Sequence, residues 1–323
     1  MRGAILRTLI DLANADPRVV LLTGDLGFLV VEAFARAFPD RFWNVGVAEQ
    51  DMIGIATGMA EAGFLPFTYS IATFSTLRPY EFVRNGPVHH RLPVRILGVG
   101  GGFEYGSAGP THHGLEDVAV MRALPGLTVV APADHEQAAA ALLGTWDLPG
   151  PVYLRLGKDD HSVVAGLDGR FALGRAERVR TGTEGTVLVA LGPIAREAVA
   201  AAELLSLRGL DCSVTVVACV SPAPVEDLLD AFRDAHTVVT VEAHSIVGGL
   251  GSLVSEVVAE HGLGCRVVRC GVRSGPDGVG GSESFLNVRH GLDRAGIART
   301  VEGAAAERPA MGSPRGEGVV RSW

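Results

Sequence analysis

The sequence predicts an α/β protein of two doubly wound domains, the first larger and built on a mainly parallel sheet. Three observations predict it. The chain has 323 residues, more than one ordinary core of about 100–200 residues needs, which fits two domains. Short aliphatic runs alternate with stretches of helical period along most of the chain. Glycine is abundant at 42 residues while aromatics are only 6%, a mix that suits tight βα turns and aliphatic strands better than a β-sandwich.

Apolar residues at Ile5, Leu9 and Leu12 give the first segment a helical spacing. Asp11 and Asp16, and the lack of a small-residue cleavage site, make it an amphipathic helix and not a signal peptide. Strands are expected at Val19–Thr23, Trp43–Val47, Leu65–Tyr69, Val94–Val99, Leu127–Val130 and Val152–Leu156. Helical patterns fall between them at 29–38, 49–62, 73–90, 115–123 and 134–146. This alternation gives a mainly parallel sheet covered on both faces. The rhythm breaks after residue 157, so the first domain is set at 1–160 and a Gly-rich, charged linker with a small hairpin at 161–182. A second series follows in 183–302: strands Val187–Leu191, Cys212–Val217, Thr237–Val241 and Arg266–Cys270, with helices at 193–208, 224–233 and 248–261. The Pro/Gly-broken tail 303–323 is expected to be disordered or partner-dependent.

Composition narrows the function. The net charge of −8 argues against a nucleic-acid partner, though a few pocket arginines can still bind a small anion. No apolar run approaches membrane-spanning length, so no membrane partner is expected. Cys212, Cys219, Cys265 and Cys270 form no C-x-x-C pair and read as free thiols of a cytoplasmic protein. Lys158 is the only lysine among 28 lysines and arginines, so Schiff-base chemistry would rest on it alone. The glycine clusters fail both phosphate fingerprints: counted from Gly98 or Gly100, the third glycine of G-x-G-x-x-G falls on Phe103 or Tyr105.

Several residues sit where open α/β sheets place ligands, at the carboxyl ends of strands. Glu49 runs off a strand into a helix, where an acid is also favoured simply by the helix dipole. His112 and His113 lie in a Gly/Pro-framed loop after Gly98–Gly102. Phe74 and Tyr80 have the spacing of core aromatics or of a ligand platform. Arg155, near the end of an apolar strand, needs an anionic partner or ligand.

Taken in chain order, Asp25 (LLTGDLG), Glu49 (NVGVAEQDMIGIATGMA), Phe74 (YSIATF), His112 (GPTHHGLED), VVAPAD at 129–134 and Arg155 (PVYLRLGK) resemble the pyrimidine-binding domain of transketolase. They also resemble the matching domain of 1-deoxyxylulose-5-phosphate synthase. Residues 183–300 resemble the transketolase C-terminal domain, with VEAHSIVGGLGSLV and Gly281-Ser282 as markers. The resemblance implies a thiamine-diphosphate (ThDP) enzyme. Gly24-Asp25-Leu26 is not the G-D-G of the family's diphosphate domain. The diphosphate and its Mg2+ or Ca2+ are therefore expected on an N-terminal transketolase-like partner carrying G-D-G, in an α2β2 heterotetramer, with no metal ligand on this chain.

The resemblance also assigns roles. Glu49 would hydrogen-bond the aminopyrimidine ring nitrogen and favour the imino tautomer, whose exocyclic nitrogen can take the thiazolium C2 proton. Phe74 and Tyr80 would line the pyrimidine pocket, with Asp25 on the cofactor side. His112, with His113 beside it, would contact sugar hydroxyls or the carbonyl oxygen. Arg155 would pair with a phosphate or another anion. Gly100 stands where the family has a phosphate-contacting histidine, and Arg2 matches an N-terminal phosphate arginine. Ala108 and Leu29 replace a sugar-contacting acid and a phosphate-contacting serine. The implied reaction is transfer of a two-carbon ketol unit from a ketose to an aldehyde, on a sugar or sugar phosphate that departs from an ordinary pentose phosphate. The alternatives are the E1 β-subunit of a 2-oxoacid dehydrogenase and C–C bond formation like that of 1-deoxyxylulose-5-phosphate synthase.

Overall fold

A computed structural model describes residues 1–275 and 278–306. Strands β1 (Val19–Thr23), β2 (Phe42–Asn44), β3 (Leu65–Ile71), β4 (Arg95–Val99), β5 (Thr128–Val130) and β6 (Val152–Leu156) belong to the first domain. Strands β7 (Ala176–Arg180), β8 (Thr186–Leu191), β9 (Ser213–Val217), β10 (Cys219–Ser221), β11 (Thr237–Ser245) and β12 (Arg266–Val272) follow. The first sheet has the order β10-β5-β6-β4-β3-β1-β2 and the second β12-β11-β8-β9-β7. Strands β1 to β6 pair in parallel. Strands β1, β3, β4 and β6 are buried along their whole length, as a helix-covered parallel sheet requires, while the edge strand β2 is largely exposed.

The expected alternation is observed, with differences that have local causes. The second strand stops at Asn44, because the chain turns at Gly46 with φ +76°. The single helix expected over 73–90 is broken into Ala72–Thr76, Tyr80–Val83 and a wide turn at Arg84–Val88. Pro79 and Pro87 fall at and within the breaks. The linker makes no hairpin of its own: β7 pairs antiparallel with β9 and edges the second sheet. Strand β10 leaves the second domain and pairs antiparallel with β5 of the first. Two further helices follow, Glu283–Arg289 against the first domain's Gly106–Ala108 turn and Arg294–Ala306 against the second sheet. The last one includes residues 303–306, which were expected in the tail; 307–323 lie outside the described residues.

One apolar core runs through the domain junction. Val20, Met52 and Val118 of the first domain belong to the same buried cluster as Val187, Leu228 and Val254 of the second. Polar groups are also buried there. Glu242, on β11, is fully buried, and its two carboxylate oxygens accept the N–H groups of Leu250 (2.8 Å) and Gly251 (2.9 Å). These open the helix Leu250–Glu260, whose positive end suits a carboxylate. The close approach explains the glycine-rich run: a Cβ on Gly249 would lie 2.1 Å from Glu242 Oε2. Burial outweighs the two N–H donors and pushes the Glu242 carboxyl up to about 7. Beside it, the buried His244 accepts the Ala119 N–H at Nε2 (3.4 Å), and burial pushes it down to about 4.

The His244 shift predicts a pH effect. Its native pKa lies below the ordinary value of 6.5, so the unfolded chain takes up the proton first as pH falls through that window. Wild-type stability is then lost as acid is added. A His244→Gln variant has no such loss. Urea unfolding should show the stability gap between wild type and variant narrowing from pH 7 to pH 5; a constant gap would mean that His244 does not titrate with unfolding.

Candidate active site

Glu49 opens the helix Glu49–Glu61 where β2 ends, and its side chain is fully buried. A buried carboxyl needs donors, and two are supplied. Ser70, near the end of β3, donates its hydroxyl to Oε1 at 3.0 Å. Arg78 clasps Oε2 with Nη1. The Arg78 guanidinium also lies over the Phe74 ring, 4.7 Å from its centroid. His112 meets the same ring edge-on at 5.0 Å. Three residues singled out from the sequence, Glu49, Phe74 and His112, thus converge at one sheet edge. Sequence reasoning missed Ser70 and Arg78; a buried acid with no paired cation in sight was the available signal.

The loop carrying His112 is tightly closed. Gly102 and Gly114 exchange N–H···O bonds of 2.8 and 2.9 Å, pinching off the segment between them. Within it, Thr111 Oγ lies 3.0 Å from His112 Nδ1. Tyr105 stands 6.5 Å from His112, and on its other side Lys158 Nζ lies 4.3 Å from the ring centroid. Gly100 is needed for this arrangement. It has φ +81°, and a Cβ there would lie 2.1 Å from the Tyr105 ring. Its part is clearance for Tyr105.

Other expected site residues are placed differently. Tyr80 donates its hydroxyl to the Val120 carbonyl (2.9 Å), packs against the core and lines a different cleft, with Arg84 and Leu124. His113 is buried behind the loop, edge-on to Phe103 at 5.2 Å with Nε2 3.4 Å from the Gly106 carbonyl, and does not face a ligand. Arg155 is buried and needs no ligand anion. It donates to Asp117 (2.8 Å) and to the carbonyls of Gly114 (2.7 Å) and Ala243 (3.0 Å). Its expected partner is therefore internal, and it ties the His112 loop to the second domain. Asp25 is exposed at the end of β1 with φ +58°, and its backbone and carboxylate both pair with the Asn44 side chain. Arg2 lies against the hydroxyls of Tyr69 and Tyr105.

A cleft of about 490 Å³ lies away from Glu49. It lies between the domains and is lined by Arg2, Glu104, Lys158, Arg196, Glu283 and Asn287 among others. Burial, with Glu283 nearby, pushes the Glu104 carboxyl up to about 8. Tyr105 links the two places: Lys158, which lines this cleft, lies 4.3 Å from its ring, and the His112 ring lies 6.5 Å away. The segments on either side of Glu49 in the chain carry exposed apolar side chains: Phe28, Leu29, Trp43, Val47 and Ile55. Leu29 is 97% exposed and held at φ +64°. Among the described residues, no group of three or more His, Cys, Asp or Glu side chains is arranged to hold a metal ion. Among them, too, no helix is long and apolar enough to cross a membrane.

Comparison with known proteins finds relatives of both domains. Residues 1–162 match the family described as transketolase, pyrimidine binding domain, and residues 174–297 match transketolase, C-terminal domain. The chain is 35% identical over 303 residues to one subunit of the apulose-4-phosphate transketolase of Phocaeicola vulgatus, covering 93% of this chain and 95% of that protein. It is 35% identical over 302 residues to a 6-deoxy-6-sulfo-D-fructose transketolase subunit of a Clostridium species, covering 93% and 92%. Among solved structures, a split-gene transketolase in an inactive β4 tetramer matches with a TM-score of 0.85 at 35% identity, over 94% of this chain and 98% of that one.

The Arg155–Asp117 pair gives a stability prediction. Asp117→Ala would leave Arg155 charged and unpaired in the core, at a cost of about 3–5 kcal/mol. Chemical denaturation measures it directly; a loss below about 1 kcal/mol, the range of a surface pair, would contradict the assignment.

Proposed function

Because the chain belongs to the transketolase family and carries its pyrimidine-binding and C-terminal domains, we propose that it supplies the Glu49 half of a ThDP-dependent ketol-transfer site. One observation carries this reading: a fully buried carboxyl, an aromatic face and a half-exposed histidine converge at an open sheet edge. The residues fit the cofactor's pyrimidine end. The Arg78 guanidinium, a planar group with N–H donors, already bonds Glu49 and lies 4.7 Å from the Phe74 ring centroid, the two neighbours the cofactor's ring would need. When bound, the cofactor supplies the carbanion chemistry that this chain's side chains lack.

Each residue has a role in this reading. Glu49 holds or shares a proton at the ring nitrogen and so selects the tautomer, with Ser70 fixing one carboxylate oxygen. Phe74 packs against the ring face and excludes water. His112 hydrogen-bonds the sugar's hydroxyls or carbonyl oxygen. Asp25 lines the cofactor side of the same edge. The substrate is a ketose donor and an aldehyde acceptor, either of them a sugar or sugar phosphate. Arg2 and Lys158, behind Tyr105, serve an anionic end of the sugar. Both relatives named above act, by their names, on sugars with such a group.

The diphosphate and its Mg2+ or Ca2+ are held mainly by a partner chain. The relatives of matching length are themselves subunits, which supports this. So does the exposed apolar rim, Phe28, Leu29, Trp43 and Val47, around the Glu49 edge. An α2β2 assembly would place Glu49 opposite the partner's cofactor half. The four buried free cysteines suit a reducing cytoplasm.

Glu49→Gln keeps the shape and the Ser70 hydrogen bond but removes the acid. In the complex reconstituted with its partner, ketol transfer should fall by about 10²–10⁴-fold, the scale of a positioned acid–base group. Turnover near the wild-type rate would remove Glu49 from the chemistry.

A further inference from the structure

Both oxygens of Glu49 are taken in this structure. Oε1 accepts from Ser70, a fully buried side chain on a strand; Oε2 accepts from Arg78, which is 38% exposed and stands in the irregular stretch between the helices Ala72–Thr76 and Tyr80–Val83. The two donors are unequal. Ser70 is fixed by strand β3 and its pairing with β4 at Gly98. Arg78 is held only at its tip, and its long stem can swing toward solvent.

The second contact of Arg78 gives its position meaning. Its guanidinium lies 4.7 Å from the Phe74 ring centroid while it bonds Glu49. A guanidinium is flat, stacks on aromatic faces and presents N–H donors at its edge. An aminopyrimidine is also flat, stacks on such faces and presents an edge that bonds a carboxyl group. We propose that Arg78 plugs the pyrimidine position of its own chain: its guanidinium occupies the space between Glu49 and Phe74 and must withdraw before the cofactor seats. This rests on the reading of Glu49 and Phe74 as the pyrimidine site.

The plug couples two events. Withdrawal of Arg78 breaks an ion pair to a buried carboxylate, which is unfavourable unless another donor takes its place. The cofactor's ring nitrogen takes that place, with one proton shared between it and Glu49. The free chain therefore stays closed, and its buried acid is never left without a partner. The apparent affinity for cofactor is reduced by the fraction of molecules in which the plug is in place.

The test uses Arg78→Met, which keeps an apolar stem on Phe74 but removes every donor, and Arg78→Lys, which keeps the charge but not the flat face. The probe is ThDP with Mg2+, titrated into the reconstituted complex of this chain and its partner. Arg78→Met should tighten the apparent Kd by about 3- to 10-fold and speed cofactor association, with Arg78→Lys between it and wild type. A merely structural role would weaken binding instead. An unchanged or weaker Kd in Arg78→Met overturns the proposal; if that variant does not fold, an unchanged or weaker Kd in Arg78→Lys does the same. Failure of the underlying reading is separable: Glu49→Gln would then bind cofactor and turn over like wild type.

Discussion

The site is organised around one constraint: a carboxyl group with no access to water must be met by donors. Glu49 sits at the end of a strand and the start of a helix, where the backbone delivers it into the first domain's edge. Ser70 reaches it from the neighbouring strand and Arg78 from the broken helical stretch beyond. Placing those donors also places Phe74, four residues after Ser70, whose ring lies 4.7 Å from the Arg78 guanidinium. The aromatic face, the cation and the acid are thus consequences of satisfying one buried group.

A second buried pair makes the two domains one structural unit. Arg155 bonds Asp117 and two carbonyls, one in the His112 loop and one on β11 of the second domain. Buried ion pairs rarely add stability over an apolar core, but losing one partner is costly. The pair therefore fixes geometry: the position of His112 is referred to the second domain as well as to the first. Glu242 is seated on a helix N-terminus within the second domain, and two residues on, His244 Nε2 takes the Ala119 N–H of the first domain. The glycine-rich run after β11 exists because that carboxylate comes too close for side chains.

Much of the fold was legible because parallel strands are long, aliphatic and buried on both faces; β1 and β6 have the limits that the sequence suggests. What escaped was set by tertiary pairing. Neither β7 nor β10 carries a local signal of the sheet it joins, and β10 crosses to the other domain. The site was legible in part. Glu49, Phe74 and His112 converge as their order in the chain implied, because a resemblance fixes order and facing together. Tyr80, His113 and Arg155 did not follow. Their side chains find backbone carbonyls or a buried acid nearby, and such partners are invisible to motif spacing. Ser70 and Arg78 escaped for the opposite reason: only the buried Glu49 gives them meaning.

The central claim is that this chain holds half of a cofactor site. It is tested most directly by calorimetric titration of ThDP with Mg2+ into the isolated chain and into its complex with the partner. Saturable binding in the complex, and weak or no binding to the chain alone, is the result the account predicts. Tight, metal-dependent binding to the isolated chain would contradict it.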